Sequence, residues 1–332
     1  MSSGPAIAGG EPSNAALGIP NLGQPRFASP SALRASLAEV GYLADDAIAN
    51  VVYLADRLAK PVLVEGPAGT GKTQLAKSIA EVSGSRLIRL QCYEGLDESK
   101  ALYEWNYRKQ LLRIQAAQVV GEGSGERGSD MGPAAGRDPQ RVEWKSLEED
   151  IFSEEFLLTR PLLEAIRARE PVVLLVDEVD RVELETEALL LEVLSEYQVS
   201  IPELGTVRAT QLPMVFLTSN NTRELSEALK RRCLYLHIDY PSLEREREIV
   251  QARVPGISLE LADQVAQIVQ SLRSIELRKA PSVSETLDWA RTLVLLGIES
   301  VDAVQASDTL HILLKYQTDI ERAAKELLSA GS

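Results

Sequence analysis

The run Gly66-Pro67-Ala68-Gly69-Thr70-Gly71-Lys72-Thr73 has the spacing G-x-x-x-x-G-K-T, a pattern suited to gripping phosphate. Its glycines allow a tight turn that aims main-chain N–H groups inward. A helix expected directly after it adds the positive end of its dipole. Lys72 would then reach the β- and γ-phosphates of a nucleoside triphosphate, and Thr73 would hold Mg2+ through its hydroxyl.

Farther along, PVVLLVDE (171–178) is an apolar run that ends in two acids. Asp177 suits the magnesium ion, reached through water, and Glu178 suits a general base that polarises an attacking water. An acidic pair after a strand is ordinarily a solvated strand end; behind a phosphate loop it reads as hydrolytic. Asp180 and Arg181 follow at once, either as a surface ion pair or at a subunit contact. MVFLTSN (214–220) turns polar at its end, where Asn220 is placed to orient the lytic water. Asn221 shares that assignment, and simple turn chemistry is the plain alternative. Lys230-Arg231-Arg232 is a basic cluster, usually just a solvated face. Arg232, with Arg231 beside it, could instead serve a neighbouring subunit's nucleotide as an arginine finger. A guanidinium keeps its charge and matches phosphate with a planar fork.

These residues need strands to carry them to one sheet edge. PVLVEG (61–66), RLIRLQC (86–92), PVVLLVDE, LPMVFLTSN (212–220) and CLYLHID (233–239) are short apolar runs with the character of buried parallel strands. Helical periodicity fills the intervals: a helix from Pro30 or Ser31 to Gly41, then DDAIANVVYLADRLA, TQLAKSIAEVS, ALYEWNYRKQLLRIQAAQ, EEFLLTRPLLEAIRARE and ETEALLLEVLSEY. VSIPELGTVRAT reads as a hairpin around Pro202–Gly205. From Pro241 onward the pattern is helical only. The expected organisation is a flexible tail over 1–28, an α/β domain over 29–240 with a mobile loop at 119–142, and a helical lid over 241–332.

The chain has 332 residues, a net charge of −14, 45% hydrophobic and 25% charged residues, which suits about two globular domains. An acidic chain is repelled by phosphate backbones, which disfavours general nucleic-acid binding. The two cysteines, Cys92 and Cys233, sit in apolar runs and lack metal-ligand spacing, so free buried thiols are expected. No apolar run has the length of a membrane span and the N-terminus lacks a signal-peptide layout, so the expected location is the cytoplasm.

GPAGTGKT, VVLLVDEVDR, LTSNN and the RRC stretch occur in the order typical of AAA+ ATPases, which this chain resembles over most of residues 30–240. It is most similar to the MoxR family. RLQCYEGLDESKALYEWNYRKQLLRIQ (89–115) stands where that family has a helical insert, and QVSIPELGTVRATQLP (198–213) where it has a hairpin before the polar strand. LQCYEGLDESKALYEWNY and PSVSETLDWARTL are similar to the branch that matures carbon monoxide dehydrogenase and related molybdenum hydroxylases (CoxD-like). The resemblance implies a parallel sheet of order 5-1-4-3-2 with a helical lid. It also implies ATP as ligand and substrate, with Mg2+, and a homohexameric ring with nucleotide between subunits. It further implies a partner bearing a von Willebrand factor A domain, and chaperone-like remodelling of a client metalloenzyme. The family usually offers a lid arginine to the γ-phosphate; here Ser284 stands near that place, with Arg278 or Arg291 as substitutes.

Smaller readings complete the set. Tyr93, Tyr103, Trp105 and Tyr107 are expected to pack rather than grip a client. Glu183, Glu185 and Glu187 are expected on a solvated face, and Tyr42 either touches adenine or joins the core. Two other functions compete with the ATP-driven chaperone. One is an ATP-gated scaffold with little turnover, favoured by Ser284; the other is a nucleic-acid motor, opposed by the acidic charge.

Overall fold

The computed structural model describes residues 25–123 and 150–330. The expected tail therefore lies outside the described residues up to 24, and the expected loop lies outside them from 124 to 142.

Five strands form one parallel sheet: β1 (Val62–Glu65), β2 (Arg86–Gln91), β5 (Val172–Asp177), β8 (Met214–Ser219) and β9 (Leu234–His237), in the order β2-β5-β8-β1-β9. That is the expected 5-1-4-3-2 order. β1, β5 and β8 are buried at every position, as strands covered on both faces must be. Their side chains alternate between two cores. Leu63, Leu174, Val176, Val215 and Leu217 enter one core, while Val62, Val64, Val173, Leu175 and Phe216 enter the other.

The second face is covered by α1 (Pro30–Glu39), α2 (Asp46–Leu58) and α3 (Lys72–Val82). Ser29 and Asp45 cap the first two through side-chain oxygens, satisfying amides that have no helical partner. The register sets Glu65 opposite Ser219 and His237, and Gln91 opposite Asp177. The polar strand ends thus share the edge from which α3 departs.

Four expectations fail between β2 and β5. The helix expected over 101–118 is instead a helical turn, α4 (Glu98–Ala101), then β3 (Tyr103–Trp105), then α5 (Tyr107–Gly123). Asn106 breaks the run, since its Oδ1 accepts from Lys109 N at 3.1 Å as a helix-start cap does. α5 also continues into residues expected to be loop, because an established helical ladder propagates at little cost per residue. The helix expected over 154–170 is split as well. β4 (Leu157–Thr159) pairs antiparallel with β3, and α6 (Pro161–Arg167) starts only at the proline, which lacks the amide a helix interior needs. Trp105 is buried edge-on against Phe152, whereas Tyr93 and Tyr107 are exposed rather than packed.

α7 (Leu184–Glu196) leads into the expected hairpin, β6 (Gln198–Ile201) and β7 (Gly205–Arg208). Glu183 and Glu185 are exposed, but Glu187 is buried. It pairs with Arg223 and accepts from Ser226 N at 3.1 Å, so a solvated face is the wrong reading of that position. α8 (Glu227–Arg232) precedes β9.

Five helices follow: α9 (Leu243–Arg253), α10 (Leu259–Ser274), α11 (Val283–Leu295), α12 (Ala303–Leu313) and α13 (Gln317–Ala330). They enclose a third core around Trp289, Val265 and Leu310. Glu246 of α9 is fully buried and ion-paired with Arg273 of α10, and it accepts from Thr286 Oγ1 of α11 at 2.9 Å. No described helix is long and apolar enough to cross a membrane.

Candidate functional site

The loop between β1 and α3 takes its shape from glycine. Gly66, Gly69 and Gly71 have φ of 149°, 75° and 97°, which side chains rarely tolerate. A Cβ on Gly66 would fall 2.0 Å from the Ile238 carbonyl oxygen, so the loop presses directly against the end of β9. Thr70 Oγ1 donates to Pro67 O at 3.0 Å. Lys72 is buried, and its Nζ donates to Gly66 O at 2.8 Å and Pro67 O at 2.6 Å. Burial pulls the Lys72 ammonium below its usual range, against the opposing pull of Asp180, Asp177 and Glu178.

The two acids stand across from this loop. Thr73 Oγ1 donates to Asp177 Oδ1 at 2.9 Å, joining residues 104 apart in sequence. Thr218 Oγ1 donates to the same oxygen at 2.5 Å and accepts from Glu178 N at 2.9 Å. Glu178 holds left-handed backbone, φ 59° and ψ 48°, which costs a non-glycine residue about 1–3 kcal/mol and persists where surrounding contacts fix it. Its Oε2 meets Arg181 Nε at 2.9 Å and Gln91 Nε2 at 3.2 Å.

Asp180 is buried rather than a surface partner of Arg181, which pairs with Glu178 instead. Its Oδ2 accepts from Thr222 N at 3.0 Å and Thr222 Oγ1 at 2.6 Å, pinning the turn after β8. Burial pushes the Asp180 carboxyl up, but the Thr222 hydroxyl and amide and the Asn220 amide outweigh it and hold the carboxyl below the usual range.

One cavity of about 300 Å³ is lined by Lys72, Thr73, Asp177, Glu178, Asn220 and Ser284, together with Ala68, Gly69 and Gly71. The structure therefore brings most of the residues singled out in the sequence to one place. Asn221 instead takes φ 57° and donates its amide to Ser219 Oγ at 3.0 Å. A second cavity of about 580 Å³ adjoins the first, sharing Gly69, Gly71, Gln74 and Ser284 with it. Its walls come from Tyr42 and Ile48, from the end of β9, and from Arg245 of α9 and Leu287 of α11. Tyr42 is both buried in the core and on this wall, and burial, then Asp45, raise its phenol pKa.

Arg231 and Arg232 do not line either cavity. Both are exposed on α8, and Arg232 is engaged by Ser195 Oγ and by Ala228 O at 3.1 Å. Neither proposed substitute for the lid arginine reaches the small cavity. Arg278 stacks on Tyr316, 4.3 Å from the ring centre, and Arg291 bonds Asp288 at 3.1 Å. Sequence reasoning missed Thr218, Gln91 and Arg89. The first two are polar residues at strand ends that the register sets beside the acids, a signal available once strand order is known.

The donor set fits a hard divalent cation: a threonine hydroxyl and a buried carboxylate, both oxygen, beside a cavity with a lysine. Among the described residues no group of three or more His, Cys, Asp or Glu could hold a metal alone, so such a cation would share its coordination with phosphate oxygens and water.

Residues 61–233 match the AAA domain (dynein-related subfamily). An uncharacterized protein of Staphylococcus aureus (strain bovine RF122 / ET3-1) is 23% identical over 253 residues, covering 73% of this chain and 81% of that protein. A second, from strain USA300, is 22% identical over the same shares. Among solved structures, the Thermotoga maritima RuvB Holliday junction branch migration motor aligns with TM-score 0.41 and 17% identity, covering 87% of this chain and 72% of that one. A mutant form of that protein aligns with TM-score 0.43 and 16% identity, covering 86% and 71%.

Proposed function

Because this chain belongs to the AAA domain family, dynein-related subfamily, we propose that it binds ATP with Mg2+ in the paired cavities and hydrolyses it to drive remodelling of a client protein. The observation that carries this reading is the Thr73–Asp177 hydrogen bond, which sets a cation-binding pair against Lys72, Glu178 and Asn220 around one small cavity. The loop glycines would present main-chain amides to the triphosphate, and the adjoining cavity, bounded by Tyr42, Ile48 and Leu287, suits a nucleobase. Thr73 and Asp177 would hold the cation, which supplies charge neutralisation of the phosphates. Glu178 would take a proton from the attacking water, and Asn220 would orient that water. Lys72 must leave the carbonyls of Gly66 and Pro67 to meet phosphate.

Arg232, with Arg231, is assigned to the nucleotide of a neighbouring copy in a hexameric ring. Its exposure away from its own cavity supports this, because an arginine in that position is open to another subunit. The MoxR-like reading, in its CoxD-like form, is supported by the insert after β2 and by the hairpin directly before β8. With it go a von Willebrand factor A domain partner, a metalloenzyme client and a cytoplasmic location.

A second reading, an ATP-gated scaffold with little turnover, is favoured by Ser284 on the cavity wall and by the engagement of Arg278 and Arg291 elsewhere. Steady-state phosphate release separates the two. Hydrolysis by the wild type, falling about 10²–10⁴-fold in Glu178→Gln while labelled ATP still binds, is the expected result. Equal, near-zero rates in both proteins with intact binding would reject the enzyme and leave the scaffold.

A further inference from the structure

Asp177 is held on its second oxygen by a residue that no part of the phosphate loop requires. Arg89, in the middle of β2, places Nη2 at 2.5 Å and Nε at 3.1 Å from Asp177 Oδ2. Thr73 and Thr218 already occupy Oδ1. The Asp177 side chain is 4% exposed, and that of Arg89 is 46% exposed. A buried carboxylate therefore has both oxygens saturated, one by hydroxyls and the other by a guanidinium that reaches in from the surface.

We propose that Arg89 is a built-in counter-ion that competes with a divalent cation for Asp177, and so sets how strongly this chain couples metal to nucleotide. The inference rests on the reading of the cavity as a magnesium–ATP site. A guanidinium on Oδ2 and a divalent cation held with Thr73 on the Oδ1 side are like charges on one carboxylate, and each is less favourable there when the other is present. One must yield, and the geometry decides which. Among the described residues β2 is an edge strand of the sheet, so no further described strand lies beyond the arginine. Its half-exposed side chain can swing into water, where a guanidinium is fully solvated. Asp177 is fixed on the interior strand β5 by two hydroxyls and cannot follow it.

Arg89 Nη2 also donates to Gln91 Oε1, whose amide nitrogen reaches Glu178 at 3.2 Å. Departure of the guanidinium from Asp177 thus also loosens a partner of the second acid. A residue that merely oriented Asp177 for the metal would do the opposite of competing, because its removal would weaken metal-dependent binding.

The test is the ratio of ATP dissociation constants measured by calorimetry in EDTA and in saturating Mg2+. The full chain is compared with Arg89→Ala and Arg89→Lys. Removing the competitor tightens magnesium-supported binding and leaves Asp177 bare against metal-free triphosphate, so both effects enlarge the ratio. Arg89→Ala should raise it about tenfold, equivalent to roughly 1.4 kcal/mol of coupling. Arg89→Lys keeps the charge, and its ratio should stay within about threefold of wild type. An unchanged or smaller ratio in Arg89→Ala, with wild-type ATP binding intact, overturns the inference and leaves the proposed function standing. A wild-type chain that binds ATP under neither condition overturns both.

Discussion

A Cβ placed on Gly69 would lie 2.4 Å from the Cβ of Ser282, so the phosphate loop and the start of α11 meet with no room for a methyl group. Ser282 is itself buried and committed there. It caps α11 in a reciprocal box with Glu285, donating its amide to Glu285 Oε2 at 2.8 Å. Gly69 also sits at φ 75°, where alanine is strained. Gly69→Ala should therefore push the lid helix off the loop, lowering stability by about 1–3 kcal/mol and ATP affinity by about tenfold. Urea unfolding and calorimetry check the two effects, and a fully tolerated alanine would mean that loop and lid are not in contact in solution.

Lys72 contributes the buried positive charge of the small cavity. Lys72→Ala should weaken ATP binding by at least about 100-fold, as expected for loss of a desolvated charge contact to phosphate. It should leave the melting temperature in the absence of nucleotide within a few degrees of wild type. Fluorescent-nucleotide titration is the direct measurement, and unchanged affinity would remove the phosphate assignment.

The placement of Arg232 outside its own cavity makes a mixing experiment informative. Arg232→Ala and Glu178→Gln should each be nearly inactive alone. A 1:1 mixture, with random assembly, should recover roughly a quarter of wild-type phosphate release, because that fraction of contacts pairs an intact acid with an intact arginine. No recovery would place Arg232 in the same site as its own Glu178, or in none.

The strands, the glycine-rich loop and the acidic strand end were legible in the sequence because each is local, whereas the sheet order followed only from the family resemblance. Strands β1, β5 and β8 are apolar runs that turn polar only at their ends, and the glycine spacing before Lys72 allows few other uses. What failed was set by distant partners. Tyr103–Trp105 looks helical until Leu157–Thr159 lies beside it, and Glu187 looks solvated until Arg223 folds over it. Arg89 escaped notice for the same reason, since only the β2–β5 register brings it to Asp177. Burial of Cys92 and Cys233, by contrast, could be read from their apolar neighbours.

One charge pair is buried among the C-terminal helices. Glu246 and Arg273 side chains are 0% and 8% exposed, and the Arg273 guanidinium also lies 4.5 Å from the centre of the Tyr240 ring. Glu246→Ala strands the arginine in the interior, and the expected loss is about 3–5 kcal/mol. Hydrogen exchange should show the loss first in α9, α10 and α11, with β5 and β8 still protected. Uniform loss across the chain would show instead that the lid and the sheet unfold as one unit.

Burial, foremost, raises both thiols to a pKa of about 12, from an ordinary value of 9.0. The folded state thus disfavours thiolate. The sign follows from linkage: this contribution to stability is whole below pH 9.0 and is lost as pH rises toward about 12. At pH 8 neither Cys92 nor Cys233 should react with iodoacetamide in the native chain, and both should react fully in denaturant. Rapid native labelling of either would place it at the surface.

Gly66 lies hard against the main chain at Ile238, and that contact gives β9 a second office. The strand is short, with the loop braced just past its far end and the arginine-bearing α8 joined to its near end. The loop contact at Ile238 thus lies within a few residues of backbone from the surface that carries Arg231 and Arg232. That stretch of backbone does not run through the C-terminal helices.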